Sequence, residues 1–371
     1  MVRRPSSRAK LGQWLLLVVV VAVAWLLVSN AGDNLARRNL SFGFGFFGDR
    51  ANFDIPFKLI SWSESDTFGR ALLVCLLNTV LVAGLSVASA TLLGVVVGIM
   101  RLSVNWLVRN IALAFVEFIR NTPQLIQIIF WYVAVLQTLP SPRQSIVLPF
   151  GMLLNIRGFY LPNPVPGSHS AILTGLAIAL LVATPFAWRF ARRRGWRGVS
   201  VVPLPLLAAG AYAAGIDHVS WPQLQGFNIA GGVQLPPELV ALWAGLTIYA
   251  AAFIAEIVRG SIEAIPKGQS EAAGALGLRI GQRLFLVILP QALRIMVPQL
   301  TSQYLNIIKS STLGAAVAYP EIFQIFAGTV MQQTGKEIET ILVVMVVFLS
   351  VNILTSGFMN WYNRRVALVE R

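Results

Sequence analysis

The sequence has few charged residues, one cysteine and two histidines. Charged side chains make up 12% of the 371 residues, about half the share that soluble domains carry. The lone Cys75 lies in an apolar run and cannot form a disulfide within the chain. His169 and His218 have no metal-ligand spacing around them. These shortages exclude a disulfide framework and give no support to a metal site.

The chain also lacks a nucleotide-binding loop and a catalytic cluster. No Gly-x-x-x-x-Gly-Lys-Ser/Thr run is present, and Lys309 follows Ile308 where that motif needs glycine, so the turn that cradles phosphates is missing. No nucleophile is paired with a general base. We therefore expect no catalytic residue, no metal and no cofactor bound by this chain.

Long apolar runs fill the sequence instead. It is 56% hydrophobic, with a mean hydropathy of +0.70. A helix that crosses the hydrocarbon core of a bilayer needs about 20 mostly apolar residues. Eight segments meet or approach that length, which predicts an all-α, multi-pass membrane protein of about eight spans: 11–30, 71–100, 111–138, 171–188, 199–216, 236–258, 284–312 and 338–361.

The first apolar run has two interpretations. Basic residues precede it, as in a secretory signal, but the run over 11–28 is long for a signal and residues 29–32 form a weak cleavage site. Because many spans follow, we expect a retained first helix, and a cleaved signal is the alternative. Within a later span, Gly94 and Gly98 are expected to let two helices approach closely.

The positive charges indicate the side of the membrane on which each connection lies. The net charge is +14, but Lys and Arg cluster at the ends of apolar runs, so nucleic acid is not an expected partner. With the N-terminus in the cytoplasm, the inner connections hold 19 Lys and Arg and the outer ones hold 8. The densest inner cluster is the run of five arginines over 189–197. We expect both termini in the cytoplasm.

The connections divide the chain into five predicted regions. Residues 1–70 hold the first span and an outer loop, and 362–371 form an inner tail. The spans in 71–138 and 236–361 make up a core, and 139–235 hold an inserted helix pair with its loops. Six prolines predict an irregular outer connection before that pair: Pro140, Pro142, Pro149, Pro162, Pro164 and Pro166.

The inner connection 259–294 is too polar to span, yet it has Ala and Leu at helical spacing. Pro266 suits the first turn of a short helix, and Glu271 falls where a negative charge interacts favourably with the amide end of that helix. Gly277 can end the helix in a left-handed conformation. A second short helix is expected from about Ile280.

This second helix would run toward Pro290, so that the two helices meet at a glycine. We call residues 266–290 the knob. Ala272 and Ala273 are expected to keep one side of it flat, so that another protein can press against it.

The knob resembles a known signature. Glu271-Ala272-Ala273, three residues, Gly277, nine residues and then Val287-Ile288-Leu289-Pro290 resemble the EAA signature of ABC-importer permeases. Val287 stands where that signature usually has Ile, which is a conservative change.

Further matches narrow the resemblance to the polar amino-acid branch of these permeases: the runs over 117–127, 245–260, 266–269 and 309–313. The resemblance covers about 71–138 and 236–361. The extra first helix and the inserted pair resemble the larger permease subunits of broad-specificity L-amino-acid importers in Gram-negative bacteria. The resemblance implies a type I permease fold in the bacterial inner membrane and the translocation of polar L-amino acids.

The resemblance also implies a set of partners. These are a second permease subunit, two ABC ATPase subunits that bind ATP and Mg, and a periplasmic amino-acid-binding protein. The knob would transmit closure of the ATPases to the spans, with Glu271 as a polar anchor and Gly277 permitting the turn. Taken alone, Glu271 also fits a solvated carboxylate at a helix start.

Polar residues inside the spans are candidates for the substrate pathway, because burying them in lipid is costly. Lys309 has no carboxylate in its own segment, so it either meets a substrate carboxylate or pairs with an acid on another helix. The two glutamines either line the pathway or hydrogen-bond between helices. The candidates are Gln124, Gln127, Lys309, Ser310, Ser311 and Thr312.

Two acid–base pairs have helical spacing. Glu117 with Arg120, and Glu256 with Arg259, stand three residues apart. Either the two members of each pair neutralise each other, which we expect, or they have a functional role as charges within a span.

Other functional classes have less support. An ion-driven secondary transporter predicts inverted repeats or interrupted helices in two matching halves, and neither is evident. A membrane enzyme or scaffold has no catalytic cluster here. An importer permease for another solute, such as a sugar or a metal, is the nearest alternative.

Overall fold

The structure is a computed structural model that describes residues 7–37, 42–193 and 203–366. Within them the chain is mostly helical, with short strands between residues 146 and 235. Several sequence-based expectations lie outside the described residues: positions 194 and 197 of the arginine run, the start of the predicted span 199–216, and residues 1–6 and 367–371 of the predicted termini.

The first part of the chain forms two long helices and a broken one. The long helices are α1 (Ser7–Arg37) and α2 (Phe68–Arg101). The predicted span 111–138 is wrong as one helix. It divides into α3 (Trp106–Arg120) and α4 (Gln124–Ile129), and α4 continues as a wider π turn over Phe130–Leu136.

Pro123 causes this break. It has no backbone N–H, and its ring disfavours a helical conformation at Thr122. The side-chain amide of Gln127 donates to the carbonyls of Ile119 and Thr122, at 3.0 and 3.2 Å. The Ile119 carbonyl also accepts from the Thr122 N–H at 3.3 Å, so the Gln127 amide adds a further bond at the end of α3.

The inserted region holds a helix pair and small antiparallel sheets. Helices α5 (Ser170–Arg193) and α6 (Pro203–Ala214) pack against each other. A four-stranded sheet has the order β1-β2-β3-β8, and two further pairs are β4 with β5 and β6 with β7. The strands are β1 (Ile146–Leu148), β2 (Met152–Asn155), β3 (Gly158–Leu161), β4 (Asn163–Pro166), β5 (Ile216–Ser220), β6 (Gln223–Gln225), β7 (Asn228–Ala230) and β8 (Val233–Leu235).

The expectation of an irregular connection over 139–170 is therefore wrong. Pro164 and Pro166 lie within β4, and the other four prolines lie outside the strands. The β-branched residues of β1 and the aromatic residues of β3 favour strands. Strand β3 pairs with the distant β8, matching Phe159 to Leu235. A Cβ on Gly158 would lie 2.1 Å from the Leu235 carbonyl oxygen, so only glycine permits this approach.

The second part of the chain begins with α7 (Pro237–Glu263) and α8 (Lys267–Ala275). A long composite helix follows: α9 (Ile280–Arg283), a π turn over Leu284–Ile288, α10 (Leu289–Ser310) and a 3-10 turn over Ser311–Val317. A π turn over Phe323–Val330, α11 (Met331–Thr334) and α12 (Glu337–Val366) complete the chain.

The expected second short helix, ending near Pro290, is therefore wrong. The helix that begins at Ile280 continues without interruption to Val317. The π turn directly before Pro290 offers a physical reason, because its wider backbone accommodates the missing N–H and the ring of proline.

Four helices of the described chain are long and apolar enough to cross a membrane: Phe68–Arg101, Pro237–Glu263, Ile280–Val317 and Glu337–Arg364. The predicted number of eight spans is not confirmed. The other candidates contribute shorter apolar stretches within the described residues, namely Gly12–Val23, Gln124–Leu136, Ser170–Leu181 and Leu204–Ala214.

Helices α2 and α7 form the centre of the fold. A Cβ on Gly94 would lie 2.6 Å from the side chain of Ile254, and one on Gly98 would lie 2.8 Å from the Ala255 carbonyl oxygen. The expected close approach at these two glycines is confirmed. It brings the two helices near enough for their apolar side chains to interlock.

Buried polar contacts fix the far end of the composite helix to α2. The chain turns there through Ala318, which has a left-handed φ of +57°. The Asn78 side chain donates to the Pro320 carbonyl at 2.9 Å, and the Tyr319 hydroxyl donates to the Asn78 carbonyl at 3.0 Å. The composite helix is thus anchored at the end opposite the knob.

Candidate functional site

The knob is built around the C-terminus of α8. Gly277 has a φ of +77°, so its expected left-handed conformation is confirmed. Its N–H donates to the Gly274 carbonyl at 2.9 Å, and the Leu278 N–H donates to the Ala273 carbonyl at 3.2 Å. This is the Schellman pattern, which satisfies the last carbonyls of a helix and turns the chain sharply.

Other details of the knob differ from expectation. Pro266 directly precedes the first helical residue of α8, and Glu271 is the fifth residue of the helix, so it lies beyond the first turn. Glu271 and Ala272 are exposed, whereas Ala273 is buried. The exposed side of α8 is therefore formed by Ala272 but not by Ala273, because one helix face must pack against the rest of the fold. Pro290 is exposed.

An apolar ridge continues from the turn into the composite helix. Leu276 and Ile280 are 82% and 78% exposed, and Phe285 and Leu286 are each 66% exposed. Exposed large apolar side chains mark a surface that another protein or the membrane covers. The knob thus presents apolar side chains beside the exposed carboxylate of Glu271.

A polar pocket of about 210 Å³ lies between α4, α7 and α10. Three of the predicted pathway residues line it: Gln124, Lys309 and Ser310. Gln124 begins α4, whereas Lys309 and Ser310 end α10. Residues almost 190 positions apart in the sequence are therefore brought to one cavity.

The other three predicted pathway residues do not line this pocket. Gln127 closes the end of α3, as described above. The Ser311 hydroxyl donates to the Ile308 carbonyl at 2.7 Å, and the Thr312 hydroxyl donates to the Lys309 carbonyl at 2.9 Å. These hydroxyls satisfy the backbone of their own helix, as Ser and Thr commonly do.

The remaining lining residues are not among those predicted from the sequence: Tyr249, Ala250, Phe253, Gln303, Asn306 and Ile307. A usable signal was present. Gln303, Asn306 and Ser310 are spaced three and four apart, which places polar side chains on one face of an otherwise apolar helix. Tyr249 and Phe253 have the same spacing on α7, but an aromatic pair in a membrane helix is more commonly packing.

Charged groups are distributed unevenly around this pocket. Within the described residues, the Lys309 ammonium has no hydrogen-bond or ion-pair partner. The expected Glu256–Arg259 pair is present, and it extends to Arg101 on α2 and Glu263 on α7.

The other expected pair is absent. Arg120 forms no ion pair with Glu117 in the described part of the chain, and its guanidinium lies 5.2 Å from the centre of the Phe253 ring.

One continuous helix joins the knob to the pocket. Ile280 begins the composite helix on the knob, and Lys309 lies in its last turns at the pocket. At 1.5 Å per residue the two are roughly 40 Å apart. The arrangement can therefore transmit a displacement of the exposed knob to the wall of a polar cavity. Within the described residues, no three His, Cys, Asp or Glu side chains lie close enough to hold a metal ion.

Comparison with known proteins identifies relatives over almost the whole chain. The family described as binding-protein-dependent transport system inner membrane component matches residues 90–368. The general L-amino acid transport system permease protein AapQ of Rhizobium johnstonii is 43% identical, over 99% of this chain and 94% of that protein. The glutamate/glutamine/aspartate/asparagine transport system permease protein BztB of Rhodobacter capsulatus is 37% identical, over 96% of this chain and 92% of that protein.

A solved structure shares the fold. The crystal structure of an amino acid ABC transporter with histidines superposes with a TM-score of 0.50 at 17% identity, over 80% of this chain and 95% of that one. The two long relatives match the inserted region and the first helix as well as the core, because their alignments cover nearly all of this chain.

Proposed function

This chain belongs to the family of binding-protein-dependent transport system inner membrane components, and we propose that it is the membrane-spanning subunit of an ATP-driven importer for polar L-amino acids. The observation that carries the proposal is the exposed knob, whose composite helix leads directly to a polar pocket between the spans. The substrates named for AapQ and BztB support the amino-acid class.

The knob is proposed as the contact for the ATPase. The chain has no nucleotide-binding loop of its own, so ATP and Mg would be bound by two partner ATPase subunits. The apolar ridge at Leu276 and Ile280 would enter a groove of the ATPase, with Glu271 as a polar contact at its edge. Interfaces of this kind owe most of their energy to a few well-buried anchors.

The pocket is proposed as the part of the pathway that the amino acid occupies. A charged side chain within a membrane-spanning helix is costly. An unpaired Lys309 at a cavity is therefore expected to have a use, and the α-carboxylate of an amino acid supplies the missing countercharge. Gln124 and Ser310 would add hydrogen bonds, whereas Gln127, Ser311 and Thr312 would keep the helices in shape.

The remaining assignments follow from the same proposal. Residues 71–138 and 236–361 would form the transport core in the bacterial inner membrane, with both termini and the knob in the cytoplasm. A second permease subunit would complete the pathway, and a periplasmic binding protein would deliver the amino acid. The strands and the helix pair of 139–235 would then be an addition, with their sheets on the outer side.

The decisive experiment is transport by the reconstituted complex. The full-length chain, co-expressed with its partner subunits, is reconstituted into vesicles with the binding protein, and uptake of labelled amino acids is measured. We expect vanadate-sensitive uptake that needs ATP. Gly277→Val, which places a β-branched residue at a φ of +77°, should abolish uptake and ATPase binding. Gly281→Ala is the matched control, because a Cβ there meets nothing within 4 Å.

Uptake driven by an ion gradient without ATP would contradict the proposal and support a secondary transporter. Uptake of sugars or metal ions but not of amino acids would support a permease for another solute class.

A further inference from the structure

An ion pair joins α2 to α7 near the end of α7 that leads to the knob. The Arg101 guanidinium binds one carboxylate oxygen of Glu256, and the Arg259 guanidinium binds the other. Glu256 and Arg259 lie on α7, whereas Arg101 is the last residue of α2. The Arg101–Glu256 pair, which we call the clamp, therefore connects two helices through residues 155 positions apart in the sequence.

The burial of Arg101 makes the clamp different from the other ion pairs on α7. The Arg101 side chain is 11% exposed, whereas that of Glu263, which pairs with Arg259 on the same helix, is 52% exposed. A buried guanidinium that loses its carboxylate is left as an uncompensated charge, which costs far more than the loss of an exposed pair. Glu117 on α3 also attracts Arg101, but within the described residues it makes no direct bond to it. Glu256 is thus the directly bound countercharge of Arg101.

The knob packs against the composite helix and is joined to α7 by a short link. Helix α8 lies against the first turns of the composite helix, and the Gln291 side-chain amide donates to the Gln269 side-chain carbonyl at 3.4 Å. Only residues 264–266 separate the end of α7 at Glu263 from the start of α8 at Lys267. A displacement of the knob therefore pulls on α7 as well as on the composite helix.

The pocket changes shape only if its walls move relative to one another. It lies between α4, α7 and α10, so a displacement that carried α7 and α10 together would leave their shared wall unchanged. The clamp and the close packing at Gly94 and Gly98 both fix α7 to α2. The displacement is then taken up by the composite helix, of which α10 is a part.

We propose, building on the function proposed above, that Glu256 is a positioning residue for transport. It holds α7 on α2 through Arg101, so that a displacement of the knob moves α10 against a fixed α7 and reshapes the pocket. Without the clamp, α7 follows the knob, and ATP hydrolysis continues without a matching change at the pocket. Glu256 thus controls how much ATP is hydrolysed for each amino acid transported.

The test measures the ATP hydrolysed per amino acid taken up by the reconstituted complex, for the wild type and Glu256→Gln. Glutamine keeps the shape of the side chain but removes the charge that binds Arg101. We expect this ratio to rise about tenfold in Glu256→Gln, because uptake falls while hydrolysis continues. A variant that merely misfolds loses both activities. Glu263→Gln is the matched control, since it makes the same change two turns later on α7 at an exposed intrahelical pair, and its ratio should equal that of the wild type.

A second measurement detects the clamp without transport. Spin labels are attached to cysteines introduced at Val104, just after α2, and at Ala264, just after α7, because both positions are exposed and the native Cys75 is buried. The distance between the labels is measured in the purified full-length protein. Its distribution should be narrow in the wild type and in Glu263→Gln, and broader in Glu256→Gln.

A covalent link keeps the proposal testable if Glu256→Gln fails to assemble. Arg101→Cys and Glu256→Cys are combined, and a short thiol-reactive cross-linker joins the two positions. The ratio of ATP hydrolysed to amino acid transported should be high before cross-linking and should return to the wild-type value afterwards, because a covalent link replaces the ion pair.

The outcomes separate the two proposals. An unchanged ratio or unchanged label distances in Glu256→Gln, or a ratio that cross-linking does not restore, would overturn the role of the clamp and leave the importer assignment intact. A wild-type complex without ATP-driven uptake, whose label distances still respond to Glu256→Gln, would overturn the importer assignment while supporting the attachment of α7 to α2 by Glu256.

Discussion

The knob and the pocket lie on the same composite helix but have opposite chemistry. The knob exposes apolar side chains, with Leu276 and Ile280 about four-fifths exposed. The pocket gathers amides, a hydroxyl and an unpaired ammonium among apolar helices. An apolar surface left in water favours a protein partner, whereas polar groups left in a membrane favour a polar solute.

Under the proposed function, this difference separates two tasks along one continuous helix. The pocket is roughly 40 Å from the surface proposed for the ATPase. Energy input and solute contact would, under that function, be in different places, connected by the helix Ile280–Val317. The first two of the following changes each alter one end and should leave the other unchanged.

The largest effect is expected at the knob. Ile280→Asp places a carboxylate in the centre of the apolar ridge, and a lost interface anchor costs about 2 kcal/mol or more, which is roughly 30-fold in affinity. Co-purification with the ATPase and ATP-driven uptake should both fall by at least that factor. Binding of amino acid to the solubilised protein should not change. Retained ATPase binding would show that the ridge is not the contact.

An intermediate effect is expected where α4 supports the pocket. A Cβ on Gly245 would lie 2.5 Å from the side chain of Ile128, so Gly245→Val forces α4 away from α7 and displaces Gln124. Overpacking costs about 1–3 kcal/mol, and we expect a fall in uptake of about tenfold with ATPase co-purification intact. Gly84→Val is the matched control, because a Cβ at Gly84 meets nothing within 4 Å. Equal uptake by both variants would contradict this role of the packing.

The smallest effect is expected at the corner beyond the composite helix. Glu321 is fully buried, and its carboxylate accepts from the N–H groups of Phe323 and Gln324 at 2.8 and 2.6 Å. Burial raises the pKa of Glu321 from 4.5 to about 7, although these two N–H donors oppose the shift.

A raised pKa makes stability depend on pH with a definite sign. Below pH 4.5 the carboxyl is protonated in both the folded and the unfolded chain, and its contribution is fully present. As the pH rises from 4.5 to about 7, the unfolded chain loses its proton first, so the folded state is progressively destabilised. The thermal midpoint of the purified protein should fall across this window, and Glu321→Gln should remove that component. Identical pH profiles would contradict this ionisation.

Local chemistry made several features predictable from the sequence. The sequence predicts the left-handed conformation of Gly277 because the residues that determine it are close together in the chain. Both Schellman hydrogen bonds form within six residues. The pair Glu256–Arg259 follows from helical spacing alone. The spans of α2, α7 and α12 follow from uninterrupted apolar length.

Features that depend on distant partners were missed. The strands of the inserted region were not expected because β3 finds its partner β8 more than 70 residues away. The spacing predicts a pair of Arg120 with Glu117, yet the structure places Arg120 on Phe253 of another helix. Among six polar candidates, the sequence had no means of separating those whose side chains bond their own backbone from those that face the cavity.

The sequence by itself therefore determined that the protein lies in a membrane, that it has long apolar helices and that the chain turns at Gly277 in the knob. These depend on composition, on helical periodicity and on the conformational freedom of one glycine. The tertiary structure decided which polar residues share a pocket, and that the knob continues as the helix that reaches it. Those outcomes depend on how α4, α7 and α10 pack together, and contacts between distant segments leave no local signature in the chain.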